Sequence, residues 1–148
     1  MMFRGMFEVV EFSIIGSVTL KKDVQLDNEF HEKLMHFMAE TDILCSEVVI
    51  QGQKYVNGDL LVLSMEDCDK MRVGLVKSIV VKDDKVYFMC RTYSCQRSWL
   101  QYFESSKCEE YYAFVEYCSL KDYKPLIRRC TSERFLFMLH HRISFMYT

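Results

Sequence analysis

Apolar and polar side chains alternate along most of the chain, and this pattern predicts β-strands. Segments rich in β-branched and aromatic residues lie at 7–20, 46–51, 59–64, 73–81, 85–94, 111–117 and 134–145. Gly16 interrupts the first segment, where we expect a bend or a bulge. In the last segment, five odd positions form one apolar face: Phe135, Phe137, Leu139, Ile143 and Phe145. Together the segments predict about seven short strands.

One segment has the period of a helix instead. Phe30, Leu34, Phe37 and Met38 recur at the spacing that places them on one helical face. Asp27 precedes this segment and is a suitable N-cap, because its carboxylate can accept a hydrogen bond from a first-turn amide. We therefore predict a helix over residues 28–40, with its apolar stripe packed on a sheet.

The connections carry their own signals. Asn57-Gly58 is the strongest hairpin signal in the chain; the alternative is that the chain simply re-enters the sheet at DLLVLS (59–64). Residues 82–84 predict a hairpin between two strands. Residues 65–71 are interpreted as a polar loop, the segment around Pro125 as a connection, and residues 98–105 as either a short helix or a loop.

These elements predict a mainly β fold. Helices do not alternate with strands, which disfavours a parallel α/β sheet. We expect a small antiparallel barrel, SH3-like or partly open, of about seven strands with one packed amphipathic helix near residues 28–40. The length fits a single domain over 1–148, with a barrel-like core at about 46–145 and the N-terminal strand and helix, 7–40, packed on it.

Composition indicates the cell compartment and the classes of partner to expect. The net charge is −2, so the chain lacks the basic excess of a protein that grips a phosphate backbone. The apolar runs are shorter than the roughly 18 residues of a membrane span. Seven cysteines, an odd number without a C-x-x-C pair, are typical of a reducing compartment. We expect an intracellular protein, in the nucleus or the cytoplasm, without a membrane partner.

Motifs for catalysis or metal binding do not stand out. The sequence has no G-x-S-x-G elbow, P-loop or dinucleotide fingerprint. His140 and His141 would point to opposite faces of a strand, and His31 and His36 miss the i, i+4 spacing of a zinc helix. A zinc set can be drawn from four cysteines, but their spacing is unlike that of structural zinc sites; they are Cys90, Cys95, Cys108 and Cys118. The expectation is no enzyme, no catalytic residues, no metal and no cofactor.

Aromatic residues are more informative. They crowd between residues 87 and 112, and we predict that Tyr87, Tyr93, Trp99 and Tyr102 bind a ligand. Aromatic walls bind methylammonium groups, prolines or bases through their π faces. Acidic residues in neighbouring loops could supply the negative charge of such a cage; they are Asp67, Asp69, Glu109 and Glu110. The alternative is that most of these aromatic residues fill the core.

Three stretches resemble a known family. YVNGDLLVLS (55–64), GLVKSIVVKDDKVYFMCRTY (74–93) and YYAFVEYCSLKDYKPL (111–126) resemble the bromo-adjacent homology (BAH) and related SH3-like barrel modules. The closing LHHRIS (139–144) resembles the C-terminal modules of transposon-derived animal open reading frames. The resemblance covers about 55–145. It departs from the BAH pattern at RTYSCQRSW, where that family has a tryptophan-rich strand and a proline-glutamate step.

The resemblance implies a non-enzymatic module that binds a protein or a peptide, histone-like tails included, in association with chromatin. Two alternatives stay open. One is a structural accessory domain of a larger or transposon-derived protein. The other is a weak nucleic-acid-binding module that uses Arg128 and Arg129, the adjacent basic pair near the C-terminus.

Overall fold

The computed structural model describes residues 11–24, 28–99, 102–126, 128–131 and 134–138. These residues form one α-helix, α1 (Asn28–Phe37), and ten β-strands. The strands are β1 (Phe12–Leu20), β2 (Ile43–Ile50), β3 (Gln53–Val56), β4 (Leu60–Asp67), β5 (Lys70–Lys82), β6 (Lys85–Trp99), β7 (Tyr102–Glu116), β8 (Asp122–Leu126), β9 (Arg128–Thr131) and β10 (Arg134–Met138).

All ten strands belong to one antiparallel sheet with the order β1-β2-β5-β6-β7-β10-β9. Two strands change partners along their length. The first half of β5 pairs with β4 and its last residues pair with β2, while the end of β2 pairs with β3. On its other edge β4 pairs with β8. The mainly β, partly open barrel expected from the sequence is therefore confirmed.

Side chains of β3 and β8 meet at the open side of the barrel. No backbone ladder joins these two strands among the described pairings. The Tyr55 hydroxyl instead donates a hydrogen bond to the Tyr123 carbonyl, and the Tyr123 ring stacks on Tyr117 at 4.8 Å between centroids. Burial strongly raises the pKa of the Tyr55 phenol, so this donor keeps its proton. Side chains, and not strand pairing, hold the two edges of the barrel together.

Apolar residues form three clusters around the sheet. The first lies inside the barrel and includes the fully buried Tyr55 and Phe88. The second is built from β4, β5 and residues such as Phe103 of β7. The third lies beneath α1, where Leu34 meets Met89 of β6. Because both faces of the central strands are covered, their sequences are almost continuously apolar.

The structure corrects several boundaries. The strands number ten among the described residues, where the pattern predicts about seven. Residues 65–71 form a tight hairpin and not a loop, since Met65 pairs with Met71 and both are buried. Pro125 lies within β8, which tolerates a proline because it pairs only with β4 among the described strands. Residues 98–105 belong mostly to the ends of β6 and β7.

The turns differ from the strongest sequence signal. β3 and β4 do not pair, so Asn57-Gly58 makes no hairpin, and the Gly58 amide donates to Val76 at 2.8 Å. The alternative of a chain that re-enters the sheet there is the correct one. The hairpin at 82–84 is confirmed, with positive φ at Asp83 and Asp84.

The predicted helix is confirmed and ends at Phe37 rather than at residue 40. Its stripe is buried as expected, since Leu34 and Met38 are almost inaccessible to solvent. Within the described residues, no helix is both long and apolar enough to cross a bilayer. Three sequence expectations lie outside the described residues: the strand before residue 11, the N-cap Asp27, and the end of the last strand with His140 and His141.

Candidate functional site

An open groove runs between α1 and β7, and we call it the helix groove. Its volume is about 1040 Å³. Four polar side chains of the helix line it, two histidines, a glutamate and a lysine. A methionine and three aromatic side chains form the rest. The lining residues are His31, Glu32, Lys33, Met35, His36, Phe37, Tyr112 and Phe114.

The floor of the helix groove is aromatic. Phe37 stacks on Phe114 with 4.0 Å between ring centroids and 7° between ring planes. Phe30 meets Tyr112 edge-on at 5.6 Å. Tyr112 and Phe114 lie on the same face of β7 because side chains alternate along a strand. All four rings are only half-buried, so the floor keeps apolar area facing solvent.

One buried residue of the helix, Leu34, positions α1 over this floor. Leu34 is fully buried beneath α1 and packs in the cluster that includes Val80 and Met89. Because Leu34 lies one turn from both Phe30 and Phe37 along the helix, its burial orients those rings toward β7. The groove therefore depends on the amphipathic stripe that the sequence predicts.

A polar contact fixes the end of the helix. The buried Asp42 carboxylate accepts hydrogen bonds from the Ala39 amide at 2.6 Å and from Lys82 Nζ at 2.9 Å. The hydrogen bond to Asp42 raises the pKa of Lys82 above its ordinary value. Lys82 Nζ also lies 5.6 Å from the centre of the Phe37 ring. The last turn of α1 is thus tied to β5 beside the groove.

The four aromatic residues predicted to bind a ligand do not share one location. Tyr87 lies under the end of α1, where it meets Phe37 edge-on at 5.1 Å. Tyr93 packs against the second core cluster. Trp99 pairs with Tyr102 at the far end of the β6–β7 hairpin. Twelve residues of strand separate Tyr87 from Trp99, about 40 Å at 3.3 Å per residue.

Their surroundings also differ. Burial raises the pKa of the Tyr87 phenol, with a further contribution from Glu116. Burial likewise raises the pKa of Tyr93, against a hydrogen bond to Arg91 that lowers it. Tyr87 contacts Phe37, a residue that lines the helix groove. Ligand binding by the other three stays a prediction.

The acidic residues considered for a cage have other contacts. Arg72 pairs with Glu109 and Glu110, and Arg97 Nε lies 3.1 Å from Asp69. The Asp67 carboxylate accepts hydrogen bonds from the backbone amides of the turn that follows it, at 2.7 and 2.9 Å. These contacts connect β5 with β7 and the β4–β5 turn with β6, and none of the four acidic residues lines the helix groove.

The candidate zinc cysteines are separated in the fold. Cys90 lies in the first core cluster and Cys95 in the second, and burial raises the pKa of each thiol to about 12. Cys118 is exposed in the short helix after β7, and Cys108 is half-exposed on β7. Thiols with such high pKa values stay protonated at neutral pH and are poor metal ligands.

Among the described residues, one trio of ligand atoms lies within 4.8 Å, that of Asp67, Cys68 and Asp69. All three residues are exposed in the β4–β5 turn. The carboxylates of Asp67 and Asp69 already accept the hydrogen bonds described above. Arg128 and Arg129, the alternative nucleic-acid contacts, lie in β9, which pairs with β10.

Comparison with protein-family models, with curated proteins and with solved structures finds no match to this chain. The resemblance to BAH and SH3-like modules therefore stays a prediction. The sequence predicts the helix side of the groove, that is, the apolar stripe of α1. It does not predict that β7 lies beneath it, because that depends on a sheet order in which β6 and β7 follow β5.

Proposed function

We propose that this domain is a non-enzymatic, intracellular interaction module that binds a short peptide segment of a partner protein in the helix groove. One observation carries the proposal: the aromatic floor formed by Phe37, Tyr112 and Phe114 remains open between the helix and the sheet. Soluble proteins seldom leave clustered aromatic surface accessible unless it is used for binding.

The groove indicates what kind of segment would fit. An apolar or aromatic side chain of the peptide would lie on Tyr112 and Phe114. Its backbone and polar groups would meet Glu32, Lys33 and the histidines along the helix, which present both charge signs. An apolar anchor surrounded by polar contacts is the usual arrangement of a peptide site. The mixed rim gives no preference for a phosphate backbone.

The lining also favours binding over catalysis. Among the described lining residues there is no serine, threonine or cysteine that could act as a nucleophile. The buried thiols at Cys90 and Cys95 lie in other clusters and have raised pKa values. Histidines on the helix could move protons, but the described lining holds no serine, threonine or cysteine for them to activate.

Selection of peptides from a displayed library on the purified domain tests the proposal, followed by fluorescence anisotropy with a labelled selected peptide. Tyr112→Ala should weaken binding about tenfold or more, the usual effect of truncating an aromatic anchor. Tyr111→Ala is the matched control, because Tyr111 is the adjacent tyrosine, is 60% exposed and does not line the groove. It should leave the affinity almost unchanged.

Two outcomes would contradict the proposal. The first is that no peptide is enriched, or that Tyr111→Ala and Tyr112→Ala weaken binding equally. The second is tight binding of duplex DNA that persists at high salt and is lost in the Arg128→Ala, Arg129→Ala double variant, since contacts to phosphates weaken steeply with salt.

A further inference from the structure

The outer edge of β7 is open beside the helix groove. β10 pairs with this edge at Tyr102–Glu104, and no described strand pairs with it from Ala113 to Glu116. Where β10 covers the edge, Phe103 is fully buried, whereas no side chain from Ala113 to Glu116 is buried. On the inner side of β7, residues 88–90 of β6 are fully buried. The partial exposure of β7 therefore arises on its outer side.

The features that usually protect a strand edge stop before this stretch. The acidic pair at 109–110 is exposed, and a bulge follows at 111–112, where two residues of β7 lie opposite Arg91 alone. From Ala113 to Glu116 the ladder with β6 is regular, and residues 113–115 include neither a charge nor a proline. The outward N–H and C=O groups of a regular edge are complementary to the backbone of another extended segment.

The helix groove lies along the same stretch of β7. Phe114 faces α1, where it stacks on Phe37. Successive side chains of a strand point to opposite faces, and Val115 accordingly packs against the first core cluster. A strand added beside β7 therefore directs every second side chain towards α1 and the groove.

We propose that the peptide binds in extended form, as a strand added to the β7 edge at Ala113–Glu116, with alternate side chains in the helix groove. This inference rests on the proposed function and specifies the conformation and the side chains of the bound segment. Hydrogen bonds between the two backbones supply affinity, and the groove selects the side chains at alternate positions.

The face of β7 below α1 defines two positions of the peptide. Residues directly opposite each other share a face, so the peptide residue opposite Phe114 enters the groove and is apolar. The next position on this face lies opposite Glu116, which pairs with Tyr87 in the ladder. The Glu116 side chain is 33% exposed, and its ion pair with Lys85 is long, 3.9 Å. A lysine or arginine of the peptide at this position meets that carboxylate, so the segment has an apolar and a basic residue separated by one residue.

N-methylation of the selected peptide, one backbone amide at a time, tests the added strand by fluorescence anisotropy. Only every second N–H group of an added strand points to the sheet. Methylation of those residues should weaken binding about tenfold or more, and methylation of the residues between them should have little effect.

Amide hydrogen exchange of the protein, measured by NMR, is the second test. Outward amides within Ala113–Glu116 should become protected by about tenfold or more when the peptide binds. The amides of residues 88–90 are the control, because β6 already pairs there with β5 and β7, and their exchange should not change. Selection repeated on Glu116→Lys, with circular dichroism to check the fold, should enrich an acidic residue in place of the basic one.

The outcomes separate this inference from the proposed function. A selection that enriches no peptide overturns both. A peptide that depends on Tyr112 but shows no two-residue period in the N-methyl series overturns this inference alone, as does an unchanged preference in Glu116→Lys. Protection of Ala113–Glu116 in the free protein also overturns it: protection that rises with concentration indicates a second copy at the edge, and constant protection indicates another segment of the same chain.

Discussion

Replacing Leu34 with alanine tests the packing that supports the helix groove. The Leu34 side chain is fully buried beneath α1, among residues such as Val80 and Met89. The change removes about three buried carbon groups, and at about 0.8 kcal/mol each the lost transfer free energy is about 2.4 kcal/mol. The cavity left behind adds to this, which gives an expected loss of about 3 kcal/mol in the free energy of unfolding.

Urea denaturation followed by circular dichroism measures that loss. Lys33→Ala is the matched control, because Lys33 is the preceding residue of the same helix and is exposed. Alanine favours the helix at least as well as lysine, so this change should alter stability by less than about 0.5 kcal/mol. The slope of the transition should be the same for both variants if the surface exposed on unfolding is unchanged.

Equal and small losses for the two variants would refute the reasoning. They would mean that Leu34 is not buried in solution and that α1 does not pack on β5 and β6 as described. If Leu34→Ala instead lowers the free energy of unfolding strongly and also weakens peptide binding, then binding in the groove depends on the packing of α1. Tyr112→Ala should weaken binding with a smaller loss of stability than Leu34→Ala, because Tyr112 is only partly buried.

Three further outcomes are expected. In urea denaturation, Gly16→Ala should lower the free energy of unfolding by about 2 kcal/mol or more, because φ at Gly16 is +78° and the added carbon would lie 2.5 Å from the Ser46 hydroxyl oxygen. Gly52→Ala is the comparison: φ is also positive there but the added carbon has open space, so the loss should be about 1 kcal/mol. Asp42→Ala should cost about 1–2 kcal/mol by the same assay, since it removes a buried carboxylate that accepts hydrogen bonds from the Ala39 amide and from Lys82, and no loss would contradict the contact described at the end of α1. Stability should fall as the pH rises above about 9, because the pKa values of Cys90 and Cys95 are raised from 9.0 to about 12 and only the unfolded thiols ionise in that window. Each thiol contributes a loss of about 1.4 kcal/mol per pH unit, so with alanine at both positions the Tm should fall less steeply between pH 9 and 11; the remaining fall comes from groups such as Cys45 and Tyr55, whose pKa values burial also raises.

Local patterns predicted the elements well where one physical rule decided the outcome. The stripe of α1 required Leu34 and Met38 to be buried, and both are. Gly16 does lie at a bulge, since only glycine adopts its backbone conformation without strain. Asp83 and Asp84 form the predicted turn because both residues tolerate positive φ.

Other expectations failed because partners distant in the sequence decide them. Asn57-Gly58 has the chemistry of a hairpin turn, but β3 pairs back on β2 and β4 pairs with β5, so the two strands diverge at the turn. The polar residues at 66–69 led to the prediction of a loop where the structure has a hairpin. They are exposed at its tip, while Met65 and Met71 are buried.

The site was predicted only in part for the same reason. Aromatic residues between 87 and 112 were expected to gather, but they occupy both faces and both ends of one long hairpin. Tyr112 enters the groove and Tyr111 does not, and alternation along β7 distinguishes them only once the position of α1 is known.

The pairing of β4 with β8 has a consequence for synthesis of the chain. Leu60 pairs with Leu126, so 66 residues separate the two partners. At about 5–20 residues per second, the ribosome needs roughly 3–13 seconds between them. During that interval the outer edge of β4, with the apolar Leu60 and Val62, has no partner strand to cover it. We expect the nascent chain to be most prone to aggregation, and most in need of a chaperone, in this window.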